Sequence, residues 1–292
     1  MTNTMNPAET IAFQGEPGAY SDLACRHVFP AMATLPCAAF EDAFAAVREG
    51  RAGLAMLPIE NSVAGRVADI HHLMPDSGLF IIAEHFERVS HHLLSLPGAR
   101  LDQIRTVRSH VHALSQCRTF IRARGLQPVV RADTAGSAAE VKALGDPTIA
   151  AIASELAGAI YGLVSLEENI EDAEHNTTRF LIMSKAPQWA SRGGPTVTTF
   201  VFNVRNVPAA LYKALGGFAT NGVNMTKLES YMVGGRFAAT QFYADVEAHP
   251  DDRPLKLALE ELEFFSREVK ILGVYPAHQL RIAARQEERG ED

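Results

Sequence analysis

The stretch TIAFQGEPGAYS, residues 10–21, decides the fold class. Its first five residues are a β-prone run, two glycines then close that run, and apolar residues with helical spacing follow from Tyr20. Strands and helices continue to alternate along the first 185 residues. Strands that alternate with helices indicate an α/β sheet, and the turns at the strand ends then gather at one edge of the sheet.

The other elements of this first part are predicted from apolar periodicity and from the turn residues at the breaks. We expect helices over 38–48, 109–124, 136–144 and 154–162. Ser109 is the predicted N-cap of the second of these helices. We expect strands over 53–59, 79–83, 89–96, 129–130, 149–153 and 180–183, a polar turn at 60–62, and a charged connection between the second and third strands.

The pattern restarts after residue 185. Residues 186–195 (APQWASRGGP) hold two prolines and two glycines, which is typical of a linker. Beyond it we expect strands over 196–204, 225–230, 236–246 and 269–275, helices over 209–220 and 254–266, and a hairpin turn at Gly234-Gly235. This βαββαβ order is typical of a ferredoxin-like sheet with two helices on one face. The charged segment 281–292 is expected to fray.

Composition excludes several classes of protein. The 292 residues include 27 Lys+Arg and 34 Asp+Glu, and this formal net charge of −7 argues against a nucleic-acid binder. The scattered cysteines Cys25, Cys37 and Cys117 are expected to be core thiols in a reducing compartment. The first ten residues lack a signal-peptide pattern, and no apolar stretch approaches the roughly 20 residues of a membrane span. We therefore expect a cytoplasmic protein without membrane contact.

Two turns offer polar groups at predicted strand ends. The glycines of 15–21 let the backbone approach a ligand, although a tight turn needs them whether or not anything binds. This turn lacks the GxGxxG pattern, so no nicotinamide cofactor is indicated. The trio Glu60-Asn61-Ser62 either presents a carboxylate, an amide and a hydroxyl at the sheet edge or caps a helix, and both interpretations stay open.

The segment HNTTRF, residues 175–180, combines an amide, two hydroxyls and an arginine. An arginine fork binds a carboxylate with two hydrogen bonds, and a neighbouring hydroxyl can donate to a leaving oxygen; the alternative is a merely polar turn. The pairs His71-His72 and His91-His92 do not chelate naturally, because adjacent residues point in different directions. The residues therefore indicate a cationic, hydroxyl-rich cleft for a small organic acid, with no metal and no cofactor.

These motifs resemble those of the prephenate dehydratases that carry a C-terminal regulatory ACT domain. They occur in family order over residues 10–277: GEPGAYS at 15–21, PIENS at 58–62, SHHLL at 90–94, SHVHALSQC at 109–117 and NTTRF at 176–180. NVPAALYKAL at 206–215 and NMTKLESYM at 224–232 resemble the ACT effector motifs. In SHVHALSQC, Val111 and His112 replace the usual Pro-Gln pair, so no role is carried over to either.

The resemblance implies a fold and a domain division. The family's catalytic part is two-lobed and periplasmic-binding-protein-like, which here covers residues 8–185 with the second lobe at about 90–175. The ferredoxin-like ACT domain covers 195–280. The implied reaction is the conversion of prephenate to phenylpyruvate, with loss of water and carbon dioxide, in phenylalanine biosynthesis. It needs a carboxylate-binding site and a hydrogen-bond donor for the departing hydroxyl.

The resemblance also implies the site residues. Thr178 would assist the leaving hydroxyl, Arg179 would clamp a carboxylate, Phe180 would shape the pocket, and Glu60 is the rival acid. The substrate-binding residues carried over are Asn61, Ser62, His91, Ser109, Gln116, Thr134, Ser137, Asn176 and Thr177. The residues implied to bind the effector L-phenylalanine are Ala209, Ala210, Leu211, Asn224, Glu229 and Ser230.

Two departures bear on regulation, and two other functions remain open. The usual Gly-Ala-Leu reads Ala209-Ala210-Leu211, and Tyr231-Met232 replaces the Arg-Pro of Glu-Ser-Arg-Pro. Paired ferredoxin-like sheets imply a homodimer or homotetramer.

The alternatives to a prephenate dehydratase are an arogenate dehydratase, which performs the same chemistry on the amino-acid form of the substrate, and a non-catalytic amino-acid-binding sensor.

Overall fold

The structure is a computed structural model that describes residues 6–205, 207–232 and 239–290. The chain divides into two compact units. The first unit comprises Met1–Val67 and His85–Phe180, and the second comprises Ala68–Glu84 and Leu181–Asp292. Within the described residues, none of the helices combines the length and the apolar character that crossing a membrane requires.

The strands and helices are numbered here in chain order. The strands are β1 (Thr10–Gln14), β2 (Ala33–Cys37), β3 (Leu54–Asn61), β4 (Gly65–Arg66), β5 (Phe80–Arg88), β6 (His92–Ser95), β7 (Thr106–His110), β8 (Gln127–Arg131), β9 (Ile149–Ala153), β10 (Val164–Glu167), β11 (Thr177–Ser184), β12 (Thr196–Val204), β13 (Met225–Met232), β14 (Ala239–Val246) and β15 (Ser266–Pro276). The α-helices are α1 (Tyr20–Val28), α2 (Phe40–Arg48), α3 (Ala68–Leu73), α4 (Val111–Gln116), α5 (Arg118–Ala123), α6 (Thr134–Leu144), α7 (Glu155–Tyr161), α8 (Ala210–Thr220), α9 (Arg253–Phe265) and α10 (Gln279–Gly290). Short 3₁₀ helices cover Pro7–Glu9 and Leu101–Gln103.

The first unit contains two sheets, which form its two lobes. The first lobe has the strand order β11-β3-β1-β2, in which β1 runs parallel to both β2 and β3. The second lobe has the order β10-β6-β9-β7-β8, in which β7 runs parallel to β8 and β9. Apolar runs such as 149–153 form strands because both faces of a parallel strand are covered. The predicted two-lobed α/β architecture is confirmed.

Two local predictions for the functional motifs are wrong. Glu60 and Asn61 lie in strand β3 rather than in a turn, because β3 continues into a short hairpin with β4. Ser109 is a buried residue of strand β7 rather than a helix N-cap, because β7 extends to His110 alongside β8. The expected single helix over 109–124 is therefore the two shorter helices α4 and α5, which meet at Cys117.

Two charged segments are more ordered than their composition suggested. The expected connection between residues 83 and 89 belongs to strand β5. Residues 279–290 form helix α10 instead of a frayed segment, and Arg281 Nε donates to Glu84 Oε1 at 2.7 Å. Strands β2 and β10 were not predicted, because both lie at sheet edges and are only partly buried.

The second unit contains the predicted ferredoxin-like arrangement. Its sheet has the order β13-β14-β12-β15, continued by β5, and β12 is antiparallel to both β14 and β15. Helices α8 and α9 share one core with the sheet, including Phe200, Phe218 and Leu262. The predicted turn at Gly234-Gly235 and the first residues of the strand expected over 236–246 lie outside the described residues.

One glycine is required where β15 meets β5 within the second unit. Gly273 pairs with Ile81 in the parallel ladder between these strands. A Cβ at Gly273 would overlap the carbonyl oxygen of Ile81 and would lie 2.6 Å from its Cβ atom. A larger residue at this position would therefore force the two strands apart.

Candidate active site

The end of β3 and the start of β11 are joined by hydrogen bonds that span more than a hundred residues of sequence. The Ser62 backbone N–H donates to the Thr177 carbonyl at 2.9 Å, and the Ser62 hydroxyl donates to the His175 carbonyl at 2.9 Å. The Thr177 N–H donates back to Ser62 Oγ at 3.0 Å. These contacts bring the PIENS and NTTRF motifs together as the resemblance implied.

Asn61 fixes the hydroxyl of Thr178. Its Oδ1 accepts from the backbone N–H groups of Val63 at 2.9 Å and Ala64 at 2.8 Å, which sets the orientation of the amide. Its Nδ2 therefore faces β11 and donates to Asn176 Oδ1 at 2.8 Å and to Thr178 Oγ1 at 3.0 Å. Because the Thr178 oxygen accepts this bond, its own O–H hydrogen stays available to donate.

Arg179 and Glu60 form a second pair. Arg179 Nη1 donates to Glu60 Oε1 at 2.9 Å, and the arginine side chain is 2% exposed against 32% for the glutamate. Successive residues of a strand point to opposite faces, so this pair lies on the other face of the sheet from Thr178 and Asn61. Phe180, which shares the face of Thr178, is buried in the core.

A chain of hydrogen bonds leads away from Thr178 through side chains of the other motifs. Gln116 Nε2 lies 3.5 Å from Asn61 Oδ1, and Gln116 Oε1 lies 2.9 Å from His91 Nε2. His91 Nδ1 lies 2.8 Å from the Tyr20 hydroxyl. Each of the five motifs thus supplies one member of this Tyr20–Thr178 chain.

Burial controls the electrostatics of the chain. Burial lowers the pKa of His91, and the hydrogen bond that His91 donates to Gln116 and the nearby Glu171 carboxylate oppose this effect. Nε2 of the neutral imidazole faces the acceptor Gln116 Oε1 and therefore carries the proton. The Tyr20 hydroxyl also lies 2.6 Å from the Ser90 carbonyl, and burial raises its pKa well above the ordinary value. Tyr20 was not predicted as a site residue, although the GEPGAYS motif contained it.

The glycine turn of 15–21 is explained by close packing. The Ser154 hydroxyl donates to the Gly18 carbonyl at 2.6 Å, and the Tyr161 hydroxyl donates to the Pro17 carbonyl at 3.0 Å. Gly18 has a φ of +91°, and a Cβ there would lie 2.7 Å from Ala157 Cα. The turn therefore docks on helix α7 at a distance that only glycine allows.

Besides His91 and Gln116, three predicted substrate-binding residues lie in the second lobe. The Ser109 hydroxyl donates to the Ile152 carbonyl at 2.6 Å, and the Ser137 hydroxyl donates to the Asp133 carbonyl at 2.7 Å. Thr134 begins helix α6, which Asp133 caps through the Gly136 N–H. In the described part of the chain, no hydrogen bond joins these three residues to Thr178.

The predicted effector residues lie in the second unit. Ala209 precedes α8 with a φ of +61°, a left-handed conformation that glycine adopts without strain. Ala210 and Leu211 begin that helix and are half-buried, as is Glu229 on β13, whereas Asn224 and Ser230 are exposed. Tyr231, which stands where the family has arginine, is buried with its ring 5.5 Å from the ring of His72.

Comparison with known proteins identifies the family. The family model for prephenate dehydratase matches residues 11–188. This chain belongs to the prephenate dehydratase family. It is 56% identical over 95% of its length to a bifunctional N-acyl-homoserine lactone acylase/prephenate dehydratase of Komagataeibacter europaeus, of which it covers 99%. It is also 39% identical over 93% of its length to arogenate dehydratase/prephenate dehydratase 1 of Arabidopsis thaliana, of which it covers 73%.

A solved structure of the family supports the same assignment. The prephenate dehydratase of Arthrobacter aurescens, solved in complex with L-Phe, is 32% identical and superimposes with a TM-score of 0.84. The alignment covers 92% of this chain and 90% of that structure. The recognition of the family from the motifs is confirmed.

Proposed function

We propose that this protein is a prephenate dehydratase. In this reaction the ring C–O bond breaks and the hydroxyl leaves as water with an added proton. The ring carboxylate leaves as carbon dioxide, and its bonding electron pair completes the aromatic ring of phenylpyruvate. The observation that carries the proposal is the Thr178 hydroxyl, which accepts from Asn61 and keeps its hydrogen for a departing oxygen.

Thr178 is the proposed catalytic residue, and Glu60 is the less favoured proton donor. A threonine hydroxyl is a very weak acid, so a hydrogen bond to the leaving oxygen describes its role better than complete proton transfer. Glu60 Oε1 already accepts from Arg179 and lies on the opposite face of the sheet. We assign the Arg179–Glu60 pair to holding β3 and β11 in register beneath Thr178, and Phe180 to packing below the site.

The Tyr20–Thr178 chain orients the catalytic hydroxyl. Asn61 contacts Thr178 directly, Gln116 supports Asn61, and His91 supports Gln116. Asn176 receives the other hydrogen of the Asn61 amide, and Ser62 and Thr177 fix the two strands on which these side chains stand. Substrate contacts from Ser109, Thr134 and Ser137 remain proposals for the second lobe.

A turnover assay with prephenate, following phenylpyruvate, tests the proposal. Wild type is expected to turn over, and Thr178→Ala to lower kcat by about 10² to 10³-fold, the usual range for the loss of one hydrogen-bond donor to developing negative charge. Thr178→Ser keeps the hydroxyl and is expected to retain most of the activity. Equal rates in Thr178→Ala and wild type would refute the role of Thr178.

We also propose a division into a catalytic domain over 8–185, with its second lobe at about 90–175, and a regulatory ACT domain over 195–280 that binds L-phenylalanine. The ferredoxin-like fold of the second unit and the L-Phe complex of the Arthrobacter relative support this proposal. The candidate binding residues are those at the start of α8 and along β13. Titration calorimetry tests it, and no heat of binding up to millimolar L-phenylalanine would refute it. The associated expectations are a homodimer or homotetramer and a cytoplasmic location.

The names of two curated relatives point to two other substrates that this protein should be tested with. The Arabidopsis relative is named for arogenate as well as prephenate, so arogenate belongs in the same assay. Identity of 56% to the Komagataeibacter relative favours a second activity, hydrolysis of an N-acyl-homoserine lactone. Burial raises the pKa values of the Cys25 and Cys117 thiols, which disfavours both as nucleophiles.

A serine is the better candidate nucleophile for that second activity. Ser90 Oγ lies 3.4 Å from His92 Nε2, although its hydroxyl donates to Asn169 Oδ1 at 2.5 Å. Release of homoserine lactone from N-hexanoyl-homoserine lactone measures the activity. Release that Ser90→Ala abolishes supports this candidate, and release no faster than in buffer excludes it.

A further inference from the structure

A cavity of about 590 Å³ opens in the first unit beside the Tyr20–Thr178 chain. Gln116 of this chain and Asn176, which is bonded to Asn61, line the cavity, and Arg118, Arg122 and Asp172 contribute its charged side chains. We call it the Arg118 cavity. Its volume lies within the range of small-molecule sites, so it can admit an organic acid of the size of prephenate.

Both arginines of the Arg118 cavity lack a partner among the residues that the structure describes. Arg118 and Arg122 stand at i and i+4 on helix α5 and therefore share one face. Within the described residues, neither guanidinium makes a hydrogen bond or an ion pair. The neighbouring Arg124 differs, because its Nη2 lies 2.9 Å from Glu167 Oε1 and its guanidinium lies over the Phe120 ring. Two like charges at this spacing destabilise a helix unless an anion sits between them.

The carboxylate in the Arg118 cavity does not neutralise these arginines. Asp172 Oδ1 and Oδ2 accept from the Thr119 backbone N–H at 3.1 and 3.3 Å, within the first turn of α5. The Asp172 N–H donates to the Gln116 carbonyl at 2.6 Å, which ties this loop to the end of α4. The Asp172 carboxylate is thus bonded to a backbone N–H group, and the cavity keeps an excess of positive charge.

A buried donor at the same cavity also lacks a partner in the described part of the chain. Asn176 is 1% exposed, and its Nδ2 has no hydrogen-bond acceptor among the described residues. The orientation of this amide is fixed, because its Oδ1 accepts from Asn61. A buried N–H donor without an acceptor destabilises the folded protein, so the arrangement is expected where a ligand supplies the missing oxygen.

We propose that the Arg118 cavity binds a carboxylate group of the substrate, with Arg118 and Arg122 as its cations and Asn176 Nδ2 as its buried donor. The assignment of that carboxylate to the substrate rests on the proposed dehydratase function. Arg118 and Arg122 would take the carboxylate-binding role that the resemblance implied for Arg179, because the Arg179 guanidinium is buried against Glu60 on the opposite face of the sheet. The Arg118 cavity is in turn linked to Thr178 by the bonds from Asn61 to both Asn176 and Thr178.

Steady-state kinetics with Arg118→Gln, Arg122→Gln and the double variant test this site. Each single change is expected to raise KM for prephenate about 10-fold and the double change up to about 100-fold, with kcat within 2-fold of wild type. Arg124→Gln is the matched control, because it removes a charge from the same segment outside the cavity, and it is expected to leave KM unchanged. An unchanged KM in the double variant overturns the proposal while turnover by wild type upholds the function.

A binding measurement decides the matter independently of turnover. Calorimetry with phenylpyruvate is expected to give a Kd at least 10-fold weaker in the double variant than in wild type and in Arg124→Gln. If prephenate is not turned over but phenylpyruvate binding still depends on both arginines, the dehydratase proposal fails and the carboxylate site stands. Equal binding by all three proteins, or none by wild type, overturns the carboxylate site.

Discussion

The Thr178 site of the first unit and the effector-candidate region of the second unit differ in how their polar side chains are held. Around Thr178 these side chains bond to one another across long stretches of sequence, as Asn61 does to Thr178 at 3.0 Å. Along β13 of the second unit, exposed and half-buried residues alternate from Met225 to Ser230, and Asn224, just before the strand, is exposed as well. The first arrangement is preorganised within one chain, whereas the second places polar side chains on an exposed strand.

This difference separates two kinds of substitution. A change in a preorganised chain of buried hydrogen bonds alters the positions of the remaining members, so its effect on rate is large and coupled. A change in an exposed strand or at a helix start acts locally on stability or on ligand affinity. Four substitutions, taken in order of expected effect, test whether the two regions behave in these two ways.

The largest effect is expected for Asn61→Asp. The carboxylate would keep the bonds from Val63 and Ala64 but would present an acceptor to Thr178, which would then donate to Asp instead of to substrate. We expect kcat for prephenate to fall about 10²-fold or more with little change in thermal unfolding. Gln286→Glu, an amide-to-carboxylate change at an exposed position of α10, is expected to leave kcat unchanged. If Asn61→Asp kept the kcat of wild type, the hydrogen bonds around Thr178 would not be preorganised for catalysis, and this difference between the two regions would disappear.

A smaller effect is expected for Tyr20→Phe at the far end of the chain. The change removes the hydroxyl that contacts His91 Nδ1 at 2.8 Å and so loosens the orientation of Gln116. We expect kcat to fall about 10-fold while KM stays within 2-fold, as for a positioning residue. Tyr161→Phe removes the hydroxyl bonded to Pro17, outside the chain, and should retain full kcat. If kcat fell by the same factor in Tyr20→Phe and Tyr161→Phe, the role of Tyr20 would be structural only.

The burial of His91 predicts a pH dependence that belongs to the first unit. Because burial lowers its pKa in the folded state, the unfolded chain binds the proton more readily below about pH 6.5. The stability that His91 contributes is therefore complete above that pH and is lost as the pH falls toward the folded pKa. The slope is at most about 1.4 kcal/mol per pH unit. Urea unfolding between pH 5 and 7.5 should show this slope in wild type and a smaller one in His91→Asn; equal slopes would contradict it.

The smallest effect is expected for Ala209→Gly in the second unit. Ala209 has a φ of +61°, which strains an alanine by about 1–2 kcal/mol, and glycine relieves this strain at some cost in unfolded-state entropy. We expect a net stabilisation of about 0.5 kcal/mol, with kcat unchanged in the absence of L-phenylalanine. Differential scanning calorimetry measures the change. A lower melting temperature would show that the left-handed conformation is not what makes glycine usual at this position.

The sequence predicted the fold better than the site. Periodicity located the apolar strands and the βαββαβ order, because buried residues fix those patterns. It failed at Ser109 and at Asn61, because strand pairing with β8 and β4 extends both strands beyond their apolar runs. Helix α10 was missed because its order depends on Arg281 meeting Glu84 from a distant part of the chain.

The sequence motifs predicted which residues belong to the site, but not which of their side chains contact one another. The resemblance placed Thr178 and Asn61 in one site, and hydrogen bonds join them. It gave no indication that Tyr20 completes the chain, or that Glu60 would hold Arg179 on the opposite face. Nor did residue type distinguish Arg118, which lines the cavity, from Arg124, which is paired with Glu167. These facts depend on partners remote in sequence.

A double-mutant cycle between Tyr20→Phe and Thr178→Ala tests the central claim most directly, that the five motifs act through one hydroxyl. The turnover of prephenate is measured for wild type, both single variants and the double variant. If Tyr20 acts only through Thr178, the Tyr20→Phe change lowers kcat about 10-fold in wild type and has no further effect in Thr178→Ala. If the two losses multiply, Tyr20 acts independently and the single chain of hydrogen bonds is not the working unit.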